Sequence, residues 1–130
     1  MFLIGITSSM MAHANKEIEC AAKAVFFEAR GESDLGKEAV FRIIQNRTES
    51  GIFPKSFCGV VFQKKQFSWV GKKNKITKIE LDKYTNLVKT FLDKPVSNKL
   101  KCLDGKLYFH NLTIKTKKRT SCRIGHHIFL

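Results

Sequence analysis

The apolar residues between positions 16 and 30 constrain this chain most. Ile18, Ala21, Ala22, Val25 and Ala29 recur at three- and four-residue spacing, the period of one helix face. Asn15 stands where it can cap such a helix, running from about Lys16 to Arg30, and Gly31 is a suitable stop. The run ends in Phe26-Phe27-Glu28-Ala29-Arg30-Gly31-Glu32. If helix persists through it, Glu28 and Glu32 share a face one turn apart, and Phe26 and Phe27 offer Glu28 aromatic walls. Burial disfavours the charged form of a carboxyl and raises its pKa. A proton held near neutral pH is what a general acid for glycoside cleavage requires. The same spacing also suits a surface Glu28 and a Glu32 near the next helix cap.

Two further helices follow from the same argument. Ser33 or Asp34 caps one that reaches about Thr48, with Leu35, Ala39, Val40, Ile43 and Ile44 turned inward and Arg47 near its C-terminus, where the helix dipole favours a cation. Thr77 and Glu80 form a capping box that opens another, to about Leu92, with Leu81, Tyr84, Leu87, Val88, Phe91 and Leu92 as its stripe. A short helical piece is expected over Ser56–Phe62. After Pro95 the period changes. Leu107–His110 and Arg123–Phe129 read as two strands of a hairpin, joined across the basic loop Lys115-Thr116-Lys117-Lys118-Arg119. The expected fold is α+β: a mainly helical single domain over residues 15–130 with a small C-terminal antiparallel β-hairpin. Residues 1–14 are apolar and end in Ala12-His13-Ala14, as a cleaved secretory signal does, although no Lys or Arg precedes Lys16. They are too short to span a membrane as a helix.

Charge is unevenly placed. Residues 1–60 carry seven Lys/Arg and seven Asp/Glu, whereas residues 61–130 carry seventeen and four, which accounts for the whole net charge of +13. Such a half is an anion attractor, and nucleic acid, an anionic membrane and an anionic wall polymer are the candidate partners. The basic residues do not interleave with aromatics as a base-stacking platform requires. The four cysteines, Cys20, Cys58, Cys102 and Cys122, form no CxxC pair. In an exported chain they would make one or two disulfides, with three full pairings open; in a cytosolic one they would be small core residues. No Cys/His spacing matches a zinc site, so neither a metal nor another cofactor is expected.

Seven pieces in order resemble the catalytic domain of the SleB-type cell wall hydrolases, the family that includes spore cortex-lytic enzymes. They are Phe27–Glu32, Gly36–Val40, Asn46-Arg47, Phe53-Pro54 with Cys58–Val61, Gln66–Trp69, Leu107–Asn111 and Arg123–Phe129. The chain departs from that pattern in its Lys-rich segment after Trp69, around Cys102, and after Asn111. The resemblance implies a lysozyme-like fold and a muralytic enzyme cleaving the MurNAc–GlcNAc β-1,4 bond of peptidoglycan. It further implies lytic transglycosylation to a 1,6-anhydro product, with Glu28 as the catalytic acid. Lysozyme-type hydrolysis of the same bond, or a basic nucleic-acid- or wall-binding module without catalysis, are the alternatives.

One carboxyl suffices for transglycosylation, because the nucleophile is the sugar's own C6 hydroxyl. Hydrolysis usually needs a second carboxylate, and Glu32 is the candidate for it or for a supporting part. Gln66, Ser68 and Trp69 are expected to form a sugar-binding wall, with Trp69 alternatively a core plug. Tyr108 and His110 are expected on the opposite lip. His126 is expected to close the hairpin on the helices. Peptidoglycan strands are the expected partner, with no nucleic acid and no transmembrane segment, and the protein is expected to be a monomer. Its expected place is secreted, periplasmic or wall-associated, including as a phage-encoded lysis or tail-associated protein.

Overall fold

Helix α1, Ser8–Ala29, is the spine of the domain. The computed structural model describes residues 5, 7–64, 66–72, 75–111 and 121–130. The helix starts two turns before the predicted cap at Asn15. The Thr7 side chain accepts from the Met10 N–H and caps it instead, leaving Asn15 as an exposed interior residue, where its modest helix propensity costs little. The inward face of α1 is built largely from small residues. Ala21, Ala22, Ala24 and Val25 are fully buried, which lets neighbouring helices approach closely.

Helix α2, Asp34–Glu49, is capped by Ser33, whose hydroxyl accepts from the Gly36 N–H. The short α3, Phe57–Val61, follows a turn through Pro54. Helix α4, Lys78–Leu92, opens on the predicted capping box, with both reciprocal bonds present. The helices meet through aromatic edges: Phe26 of α1 against Tyr84 of α4 at 5.3 Å between centroids, and Phe41 of α2 against Phe57 and Phe91 at 5.6 and 5.9 Å. Phe41 is fully buried, and truncating such a side chain to Ala costs about 3–5 kcal/mol. A 3₁₀ helix, Asn98–Leu103, was not anticipated; it buries Leu100 and Leu103.

The C-terminal element differs from the predicted hairpin. It is a three-stranded antiparallel sheet of β1 (Phe109–Asn111), β2 (Cys122–Ile124) and β3 (His127–Phe129), in the order β1-β3-β2. The predicted long strand over 123–129 folds back on itself at Gly125-His126. Gly125 has φ of 57°, the left-handed conformation that a tight hairpin turn demands. Strand β3 is thereby central, pairing Phe129 with both Phe109 and Cys122. The basic loop 115–119 lies outside the described residues.

Two disulfides fasten the layers. Cys20–Cys58 ties α1 to α3, and Cys102–Cys122 ties the 3₁₀ helix to β2. Their sequence separations of 38 and 20 correspond to about 4 and about 3 kcal/mol in the chain-entropy account. No helix among the described residues is long and apolar enough to cross a membrane.

Candidate active site

Glu28 stands in the last turn of α1. Its carboxyl is partly buried, and burial pushes its pKa above the ordinary glutamate value. A hydrogen bond from the Trp69 side chain and the Arg47 charge pull the other way without cancelling that effect. The acid is therefore inclined to keep its proton, yet two groups stand ready to stabilise the carboxylate once the proton leaves.

Trp69 reaches Glu28 from the loop after α3. Buried Phe67 anchors that loop in the core. The Trp69 ring stacks on Phe27 at 4.7 Å with 26° between planes, and meets Phe62 and Phe67 at 6.2 and 6.0 Å. The indole is thus fixed by aromatic packing, with its polar edge given to Glu28. Phe26 packs its ring against Tyr84.

Arg47, on the last turn of α2, is buried at 4% exposure. Its Nε donates to the Leu107 carbonyl at 2.7 Å. The guanidinium lies over Phe53, Phe67 and Tyr108 at 4.9, 5.6 and 5.6 Å, and its Nη1 has no hydrogen-bond partner among the described residues. Burial lowers its pKa, against the raising influence of Tyr108 and Glu28. Neighbouring Asn46 donates to the carbonyls of Leu103 and Lys106, both at 2.9 Å. Asn46 and Arg47 together hold the segment that delivers Tyr108 and β1. Sequence reading placed Arg47 at a helix end and missed this part. The available signal was its position: Val40, Ile43, Ile44 and Arg47 continue one inward stripe.

Glu32 lies outside the helix that was expected to carry it beside Glu28. The helix stops at Ala29, and Glu32 follows in a turn, its N–H donating to the Ala29 carbonyl. Its side chain fills a slot between two glycines. A Cβ on Gly36 would come within 2.8 Å of the Glu32 Cβ, and one on Gly125 would collide with Oε2. Oε1 accepts the His126 N–H at 2.9 Å, and His126 Nδ1 stands 3.2 Å from Oε2. His127 Nδ1 lies 3.5 Å from Oε1. Burial, against the raising pull of the Glu32 charge and with lesser help from His126 and His110, holds the His127 pKa below its usual value, so this ring is inclined to be neutral.

The other expected residues divide. Gln66 and Ser68 are exposed on the Trp69 loop. Tyr108, 46% exposed, sits on Arg47. His110 points its Nδ1 at the Asn111 carbonyl at 2.8 Å and acts electrostatically on His127. A cavity of about 410 Å³ between α2 and the 3₁₀ helix is lined by Arg42, Asn46, Leu100 and Asp104, without Glu28, Trp69 or Tyr108. Its acid, Asp104, is exposed.

A helical domain that presents one proton-holding carboxyl, backed by an indole and a buried cation, has the layout of an acid-catalysed glycan-cleaving domain. The chain belongs to the Cell Wall Hydrolase family, whose model matches residues 31–130. Glu28 stands just ahead of the matched stretch. Over 98% of its length the chain superposes on the catalytic domain of the Bacillus cereus SleB protein, with TM-score 0.66, 27% identity and 93% of that chain covered. The catalytic domain of the germination-specific lytic transglycosylase SleB from Bacillus anthracis gives TM-score 0.66 and 26% identity, with 98% of each chain covered. The chain is also similar to the spore cortex-lytic enzyme of Bacillus cereus, 40% identical over 58 residues, 45% of this chain and 22% of that protein. For the enzyme of Bacillus subtilis the figures are 42% over 57 residues, 44% and 19%. The matched stretch thus spans about a fifth of these relatives.

Proposed function

We propose that the protein cleaves the MurNAc–GlcNAc β-1,4 bond of peptidoglycan as a lytic transglycosylase, with Glu28 as both acid and base. The observation that carries this reading is the partly buried Glu28 carboxyl, inclined by burial to stay protonated beside the Trp69 indole. The protonated acid gives its proton to the bridging oxygen as the bond from C1 to that oxygen breaks. The C6 hydroxyl of the same sugar closes on C1, and its proton passes to the Glu28 carboxylate. One bond breaks, one forms, no water is consumed, and Glu28 ends as it began. During the step the Trp69 hydrogen bond and the Arg47 charge stabilise the transient carboxylate. Glu32, with its oxygens engaged by His126, is a positioning residue in this reading, holding the sheet turn against the end of α1.

Tyr108 and the exposed Gln66 and Ser68 would flank the glycan, with His110 further along the sheet. The two disulfides suit action outside the cytoplasm. The basic half suits a polyanionic wall rather than nucleic acid, and the protein acts as a monomer, including on a host wall if it is phage-encoded. The test is clearing of purified walls by the parent and by Glu28→Gln, with thermal melts alongside. The variant is expected to fold and to clear nothing. A folded Glu28→Gln protein that clears walls would refute the assignment.

A further inference from the structure

Phe27 and Trp69, which flank Glu28 in the chain and by hydrogen bond respectively, also line a cavity of about 220 Å³. Phe27, Phe62, Trp69 and Ile76 line it with two cations, Lys23 and Lys72, and among the described residues its lining contains no acidic side chain. It is continuous with the candidate site in a specific sense. Phe27 precedes Glu28 in α1, and Trp69 offers one face to the stack on Phe27 while its side chain hydrogen-bonds Glu28. Lys23 and Phe27 are four residues apart on α1, hence on one face. Two lysines and an aromatic wall lining one pocket match a ligand with a carboxylate on a short apolar stem.

We propose that this pocket binds a carboxylate of the stem peptide borne by the glycan strand, and that Lys23 and Lys72 make the protein prefer peptide-bearing strands to bare ones. The proposal rests on peptidoglycan being the substrate. On such a strand the stem hangs from the lactyl ether of MurNAc, the sugar whose C1 is attacked, so a strand held at Glu28 carries its peptide beside the bond being cut. Exposed ion pairs are individually weak, so the aromatic wall, by excluding water, is what makes the two lysines selective.

Trp69 is the single tryptophan of the chain, so its fluorescence reports on the pocket wall. Titration with disaccharide-tetrapeptides, their stem carboxylates either free or amidated, tests the proposal directly. The free acid is expected to bind about fivefold more tightly, a preference of about 1 kcal/mol, and Lys23→Gln/Lys72→Gln is expected to erase the difference. Equal affinity for both forms, no binding, or a preference that survives in the double variant would overturn it. Cleavage of intact strands and of strands stripped of peptide is measured alongside. Loss of both cleavages would refute the proposed activity, while equal KM for both with cleavage intact would refute only the pocket.

Discussion

The backbone N–H of His126 donates to Glu32 Oε1 at 2.9 Å, joining residues 94 positions apart. This bond ties the turn of the C-terminal sheet to the segment that ends the helix bearing Glu28. Glu32→Ala would leave that N–H without its acceptor, at a cost of about 1–3 kcal/mol. Glu32→Gln keeps an oxygen there and is expected to melt close to the parent and to retain kcat within about tenfold. A folded but inactive Glu32→Gln enzyme would instead make Glu32 a second catalytic carboxylate.

Glu28 should be kept at some expense of stability. Its folded-state pKa is raised, chiefly by burial. A carboxyl of that kind stabilises the fold fully below its unfolded-state pKa, and the contribution is lost as pH rises through the folded one. Glu28→Gln is therefore expected to raise Tm at neutral pH, with the gain vanishing below about pH 4. Thermal melts across pH check this, and a lower Tm for the variant at neutral pH would contradict it.

The same pKa shift governs the rate. Cleavage should fall on the alkaline side as Glu28 loses the proton it must donate. Trp69→Phe keeps a ring against Phe27 but removes the N–H that holds the pKa down. The alkaline limb of kcat/KM is expected to move to higher pH, with a reduced maximum. An unmoved limb would mean that the indole does not tune the acid.

Glu38 should respond to pH in the opposite sense. It is 2% exposed and accepts from Arg42 Nε at 3.1 Å, from the Ser97 N–H at 3.2 Å and from Ser97 Oγ at 2.7 Å, with Lys94 as a second ion pair. Burial alone would raise its pKa, but the bonds from Lys94, Ser97 and Arg42 win and lower it. Its contribution is present above the unfolded-state pKa and is lost as pH falls through the lower folded value. Glu38→Ala strands buried Arg42 and is expected to cost about 3–5 kcal/mol, read from denaturant melts at neutral pH.

What the sequence made legible was local. The Ser33 cap, the Thr77–Glu80 box and the inward stripes of α2 and α4 depend on neighbours within a turn or two, and each stands where expected except at Leu92, which the end of α4 leaves exposed. The start of α1 was missed because Thr7 and Asn15 are both competent caps, and nothing local says that the helix runs through the second. The turn at Gly125 was missed because Arg123–Phe129 carries enough strand formers to read as one strand. Its slot for Glu32 exists only once α1, α2 and the sheet have met. The part played by Arg47 was missed for the same reason: Phe53, Phe67 and Tyr108 come together only in the fold. Glu28 and the rise of its pKa by burial were nameable from its motif, but the Trp69 and Arg47 side chains that oppose that rise were not.

Digestion of purified peptidoglycan in water labelled with heavy oxygen, followed by mass spectrometry of the fragments, tests the central claim most directly. The parent is expected to release muropeptides one water lighter than hydrolysis products and free of label, and Glu28→Gln to release none. Labelled, full-mass reducing ends from the parent, or unlabelled anhydro fragments from the variant, would contradict it.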